Sequence, residues 1–239
     1  MHSATAQGQR IAFFGGSFDP PHNGHLAVAR AALQALQLDK VLFAPVGTQP
    51  LKPHGASAGF ADRLAMTQLA IAGQPNFRVS LADAPSSPAA PSGPNYTIDT
   101  LLRLRQELPA GSVLFCLMGA DSFRSLRRWH RAAEIPFAAP LIVAARPGQQ
   151  MTDLAATLPA GLQLETSPSA APQSMGTPVL VHALRNAAGD VAPFYVLPDL
   201  HIDISASQIR AEIHHQATRA THLLPESVAR YIAGKGLYR

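Results

Sequence analysis

A doubly wound, Rossmann-like α/β fold is what this sequence predicts. Apolar β-type runs alternate with helical patterns through most of the chain. The run Val113 to Met118 above all is continuously apolar, as the strands of a mainly parallel sheet covered by helices on both faces are expected to be. The length of 239 residues fits one such domain with at most a small insertion. We therefore read 1–239 as a single domain, with 1–9 disordered and loop insertions at 84–94 and 163–192.

Ile11 to Phe14 reads as the first strand, ending in Gly15 and Gly16, and Leu26, Ala29, Leu33 and Leu36 then share one face of a helix over 26–38. Val41 to Val46 is the second strand. A helix over 62–72 turns Ala61, Leu64, Ala65, Leu69 and Ala72 inward and stops at Gly73. Phe77 to Ala82 supplies the third strand. After the Pro/Ser/Ala stretch 84–94, Thr97 can cap a helix reaching about Leu108, with Asp99 in a first turn whose dipole favours an anion. Val113 to Met118 and Leu141 to Ala145 are the fourth and fifth strands. From Pro147 to Ala192 regularity is lost, apart from the strand-like Val179 to Ala183, hence the second insertion. Phe194 to Leu197 and Ile202 to Ile204 resume strand character. Ser205, with Gln208 three residues on, opens a helix in a capping-box pattern, and the last helix opens at Pro225 and stops at Gly234.

Composition narrows the function classes. With 47% hydrophobic and 14% charged residues the chain can bury a sizeable core and is no disordered tail. The longest apolar runs are too short or too broken by proline to span a bilayer, and the polar N-terminal stretch is no secretory signal, so the cytoplasm is the expected location. Cys116 is the single cysteine, which leaves no intrachain disulfide and no cysteine cage for a metal. Its apolar setting reads as a buried, inert thiol. A net charge of +4 favours anionic ligands. Only Arg124, Arg127, Arg128 and Arg131 cluster, and no nucleic-acid fingerprint appears, so no nucleic-acid partner is expected.

The segment Gly15 to His25, GGSFDPPHNGH, lies between the first strand and the first helix, where such sheets bind phosphates. Glycines let backbone approach a ligand, the helix start offers unpaired N–H groups, and two imidazoles add side-chain donors. No GxGxxG or Walker A loop occurs, which argues against a hydride-transferring dinucleotide enzyme and a P-loop NTPase. His22 and His25 lack further ligands that would complete a zinc site, so a phosphate contact is the preferred reading and metal ligands are set at none.

The HxGH element resembles the adenylyltransferase type of nucleotidyltransferase, and four further segments are similar to nicotinate-nucleotide adenylyltransferases. These are Asn95 to Leu101; Gly119-Ala120-Asp121 with Ser122, Leu126 and Trp129-His130-Arg131; Ile204 to Arg210; and Leu224-Pro225 through Val228, Tyr231 and Leu237-Tyr238. Together they span nearly the whole chain. The resemblance implies attack of the phosphate of nicotinate mononucleotide on the α-phosphorus of ATP, without a covalent enzyme intermediate, giving nicotinate adenine dinucleotide and pyrophosphate in NAD biosynthesis. Mg²⁺ would accompany ATP.

By motif position, His22, His25, Lys52 and Arg210 would carry catalysis. ATP would meet Gly15, Ser17, Phe18, His22, His25, Gly119, Asp121, Ser205, Ser207 and Arg210, with Ser205 and Arg210 at the β and γ phosphates. Nicotinate mononucleotide would meet Gly16, Ser17 and Lys52 at its phosphate and Thr97, Trp129 and His130 at its pyridine. Trp129 could equally be a core residue spaced from Leu126 and Ala133. Asp121 could instead cap a helix. Ser17 and Ser207 stand where the family commonly has threonine, and Gln49-Pro50-Leu51-Lys52 alters its usual Pro-Pro-His-Lys. Rival readings are a phosphopantetheine adenylyltransferase, preference for nicotinamide mononucleotide, a non-catalytic nucleotide-binding regulator and a nucleic-acid binder. Homo-oligomerisation stays open.

Overall fold

In the computed structural model, which describes residues 8–51, 55–85, 93–145, 151–165, 177–198, 200, 204–215 and 220–239, the apolar runs become the strands of one sheet. In chain order the elements are β1 (Arg10–Gly16), α1 (Asn23–Ala35), β2 (Lys40–Pro45), α2 (Phe60–Ile71), β3 (Phe77–Val79), α3 (Thr97–Glu107), β4 (Val113–Gly119) and α4 (Ala120–Ser125). Then come α5 (Ile135–Ala138), β5 (Leu141–Ala144), α6 (Met151–Ala155), β6 (Leu162–Glu165), β7 (Leu180–Asn186), β8 (Val191–Leu197), α7 (Ala206–His214), α8 (Ala220–Leu223) and α9 (Glu226–Lys235).

The sheet order is β3-β2-β1-β4-β5-β8-β7-β6. The strands from β3 to β8 in that order run parallel, and β7 is antiparallel to both of its neighbours. Chain order reverses between β1 and β4, which opens a crevice at their carboxyl ends. Successive β1 residues serve opposite faces, as strand geometry dictates. Ala12 and Phe14 join a core with Phe43, Met66, Ile209, Val228 and Ile232, while Ile11 and Phe13 join one with Ile98, Leu101, Phe123, Ile135 and Phe194. Both faces are therefore covered, which is why these strands carry no polar alternation. Among the described residues no helix is long and apolar enough to cross a membrane.

The structure departs from several of these expectations. Within the stretch 163–192 the described part is largely strand: β6 and β7 extend the sheet through antiparallel pairing with each other and with β8, and the strand-like Val179 to Ala183 overlaps β7. Their half-exposed faces carry Gln163, His182 and Arg185, which broke the apolar signal; residues 166–176 lie outside the described residues, as do 86–92 and 1–7. Gln9, expected to be disordered, accepts from the Val113 amide at 2.7 Å and donates to Ser112 Oγ at 3.0 Å. Helix α2 buries Arg63, Met66, Thr67, Ala70 and Ile71, a face rotated from the expected one, because a buried arginine finds main-chain carbonyls there. Thr97 is the first residue of α3 and Tyr96 occupies the cap position. Ile204 is outside any strand, with 202 and 203 not described. Helix α9 stops at Gly236, whose φ of +63° is the left-handed conformation a helix end requires, and not at Gly234.

Candidate active site

The crevice at the β1/β4 reversal is a cleft of about 810 Å³, and every expected site residue within the described part of the chain lines it. Lys52 lies outside the described residues; Leu51, just before it, is on the wall. Gly15 and Gly16 end β1 at the cleft floor. A Cβ at Gly15 would stand 2.8 Å from the Phe13 ring, so only glycine lets the strand end this close. Ser17 Oγ donates to Gln49 Oε1 at 2.7 Å, tying the loop after β1 to the loop after β2. Phe18 has a φ of +47° and is 2% exposed, with its ring edge-on to Phe14 and His25, so it offers a ligand main chain and not its ring.

His22 holds the cap position of α1 and is buried, while His25 sits one turn on. Their rings stack at 3.7 Å between centroids. The His22 main-chain N–H donates to His25 Nδ1 at 3.2 Å, which leaves Nε2 to carry the proton of a neutral His25. His22 Nδ1 is buried without a hydrogen-bond partner in the protein, a cost that a ligand oxygen would remove. Burial lowers the His22 pKa to about 4, and burial followed by the neighbouring His22 holds His25 well below its ordinary value.

That depression has a consequence for stability. A histidine whose folded-state pKa is depressed stabilises fully above its unfolded value and loses that contribution as pH falls towards the folded one. At His22, between about pH 6.5 and 4, the unfolded chain takes up a proton that the folded chain refuses, costing up to about 1.4 kcal/mol per pH unit. Urea denaturation across that window should therefore show a weaker pH slope in His22→Asn; an unchanged slope would remove His22 from the account.

Behind the loop, Asp19 and Arg63 are each 3% exposed. Arg63 donates to the carbonyls of Ser17 at 2.8 Å and Ala58 at 3.2 Å. Asp19 accepts from the Ser57 and Ala58 amides at 2.6 and 3.1 Å. From the opposite wall, Ser205 caps α7 by accepting from the Gln208 amide at 3.1 Å. The Gln208 side chain turns to Glu212, so only one arm of the expected capping box forms. Arg210 donates to the Asp19 carbonyl at 2.7 Å and to Ser207 Oγ at 3.3 Å, which brings the start of α7 over the β1 loop. Backbone N–H groups, a guanidinium and two imidazoles thus converge, a donor set suited to phosphates.

The other arm of the cleft is aromatic. Trp129 is half-buried, packing against the core while also lining the cleft. Its Nε1 donates to Ser125 Oγ at 3.0 Å, and Ser125 Oγ donates to the Ser122 carbonyl at 2.8 Å. Tyr96 and His130 stack at 4.3 Å beside Thr97. Gly119 ends β4 and takes the cap position of α4; Asp121 lies in its first turn, exposed and paired with Arg124, and is no cap. Arg131 pairs with Glu134 and Asp99, so the arginine cluster is partly self-neutralised. Asp83, which no sequence motif singles out, is buried on the cleft wall and accepts from Thr100 Oγ1 at 2.5 Å; burial raises its pKa. Cys116 is buried and its thiol is pushed up to about 12 by that burial, the inert thiol expected.

Known proteins share both the sequence and the fold. The cytidylyltransferase-like family model matches residues 13–212. A protein of Gloeobacter violaceus named "Probable nicotinate-nucleotide adenylyltransferase" is 35% identical over 237 residues, covering 97% of each chain. One of the same name from Laribacter hongkongensis is 39% identical over 96% of this chain and 94% of its own. The nicotinic acid mononucleotide adenylyltransferase of Plasmodium falciparum, solved with NaAD, shares the fold at a TM-score of 0.66 and 15% identity, over 96% of this chain and 97% of its own.

Proposed function

The chain belongs to the cytidylyltransferase-like family and, within it, to the nicotinate-nucleotide adenylyltransferases of NAD biosynthesis, and on that premise we propose how its residues carry the transfer. The phosphate of nicotinate mononucleotide attacks the α-phosphorus of ATP in line, and pyrophosphate leaves without a covalent enzyme intermediate. A phosphate is already an ionised nucleophile near neutral pH, so no base is needed and the protein supplies alignment and charge stabilisation.

The observation that carries this reading is the stacked His22–His25 pair at the start of α1. His25, with Nδ1 occupied by the His22 amide, donates from Nε2 to the α-phosphate oxygen. The unpartnered Nδ1 of His22 gains its partner from the same triphosphate. Arg210 and the capped start of α7 take the β and γ phosphates, and Lys52 neutralises the attacking phosphate. Gly15, Gly16 and the main chain of Ser17 and Phe18 separate the two substrates' phosphates, with Gly119 and Asp121 at the ATP ribose.

Mg²⁺ would come with the phosphates of ATP, whose oxygens the cleft's N–H donors and the Arg210 guanidinium fit. When bound, the ion adds charge neutralisation on the leaving pyrophosphate. The reaction runs in the cytoplasm in this reading, where ATP and Mg²⁺ are available.

Trp129 stacks on the pyridine, and main-chain N–H groups near Thr97 and His130 receive its carboxylate. A site of donors alone favours the acid, because an amide must also donate. Trp129→Ala should raise the KM for nicotinate mononucleotide about tenfold with kcat within about threefold, since stacking is made equally in ground and transition states. Unfolding of the variant with normal kinetics in the surviving fraction would make Trp129 a core residue only.

Pyrophosphate release with Mg-ATP and, separately, nicotinate mononucleotide, nicotinamide mononucleotide and phosphopantetheine at equal concentration tests the whole reading. Preference for the first is expected. Release with none of the three would overturn it in favour of a nucleotide-binding regulator.

A further inference from the structure

The groups that grip the phosphate loop from behind come from chain segments far from it. Asp19 gathers them. Besides the Ser57 and Ala58 amides, its Oδ1 accepts from the Tyr238 hydroxyl at 2.7 Å, across 219 residues of sequence. Arg210 donates to the Asp19 main-chain carbonyl at 2.7 Å, yet its nearest nitrogen stands 3.9 Å from Asp19 Oδ2. The arginine is tethered to this aspartate without closing a tight ion pair on its carboxylate.

We infer that Tyr238 is a positioning residue for ATP, keeping the Asp19 carboxylate satisfied so that Arg210 remains free to meet the triphosphate. The inference rests on the reading of Arg210 as a phosphate contact. A carboxylate 3% exposed needs its lone pairs filled. The Tyr238 hydroxyl fills one of them, on the oxygen that Arg210 does not approach. Removing it leaves a buried anion short of one donor next to a cation within reach, and Arg210 closes the 3.9 Å gap at the expense of the triphosphate. Tyr238 is itself held in place: its φ of +65° is a conformation a tyrosine adopts only when constrained, and its ring packs against the core that α1 and α2 cover. Burial and the bond to Asp19 push its pKa up, so the hydroxyl stays a donor throughout the working pH range.

Tyr238→Phe deletes the hydroxyl and keeps the ring. With Mg-ATP varied at saturating nicotinate mononucleotide, the KM for ATP should rise about tenfold, while the KM for the mononucleotide moves less than about twofold. An unchanged KM for ATP, or equal rises in both, overturns the inference. In an Arg210→Ala background, Tyr238→Phe should add less than about twofold to the KM for ATP, since the residue it acts through is gone. Multiplication of the two single effects overturns it. If Tyr238→Phe lowers the melting temperature, the comparison is made well below it, where a purely structural role leaves the two KM values in their wild-type ratio. Lack of turnover by the wild-type protein would instead sink the adenylyltransferase reading, whereas wild-type turnover with an unmoved ratio in the variant would sink only the role of Tyr238.

Discussion

His25→Ala should lower kcat by about two to three orders of magnitude and leave the KM for nicotinate mononucleotide within about twofold. The ring projects from the first turn of α1, stacked on His22 at 3.7 Å and edge-on to Phe18 at 5.0 Å, which fixes its plane before substrate arrives. Its Nδ1 is taken by the His22 amide at 3.2 Å, so the neutral ring can present only an Nε2 proton. A donor preorganised in this way costs no reorientation when charge grows on the α-phosphate, and that growth belongs to the transition state. In the proposed binding mode, ground-state binding of the mononucleotide depends instead on the aromatic arm at Trp129. His25→Asn and His25→Gln test the geometry more finely, because each keeps a donor while losing the ring that positions it; partial recovery of kcat in either would support a donor role. Parallel losses in kcat and in mononucleotide affinity for His25→Ala would contradict it.

What the sequence disclosed follows from the range of the interactions. The apolar runs of β1, β2, β4 and β5 could be read because burial on both sheet faces leaves no polar interruption, and GGSFDPPHNGH could be read because a turn of this kind uses neighbouring residues. Ser205 and Gln208 lie three apart, so their cap was legible too. Of the edge strands only the start of β7, as the strand-like Val179 to Ala183, could be read; β6 and the rest of β7 could not, since a half-exposed sheet edge admits Gln163, His182 and Arg185 and resembles a loop in composition. Ser125 is four residues before Trp129, a spacing at which a hydroxyl partner for the indole could have been sought. Nothing local announces that Asp19 meets Tyr238, or that Arg63 is interior. Both depend on contacts made only when remote segments assemble, and a charged residue in a helix is read as solvated unless its partners are known.

Arg63→Met should lower the unfolding free energy by about 3 kcal/mol, and the melting temperature by about 6–12 °C, in a chain of this size. Methionine replaces most of the aliphatic volume, so the loss comes from polar groups and not from a cavity. The carbonyls of Ser17 and Ala58 lose donors at 2.8 and 3.2 Å, the first in a part-buried and the second in a buried setting. Asp19 also loses a neighbouring cation: burial lowers the pKa of Arg63, and the Asp19 charge partly restores it. Phe60 loses the guanidinium that sits 5.5 Å from its ring centroid. Since the Ser17 carbonyl belongs to the loop that lines both proposed phosphate sites, the folded variant should show higher KM values for both substrates, unlike the selective loss expected of Tyr238→Phe. Thermal and urea unfolding at pH 7, followed by kinetics at a temperature where the variant is folded, separate the two effects. A variant as stable as the wild type would mean that the arginine offsets only its own desolvation, and any loss of activity would then measure loop geometry alone. Unchanged kinetics together with lowered stability would place Arg63 outside the loop's functional support.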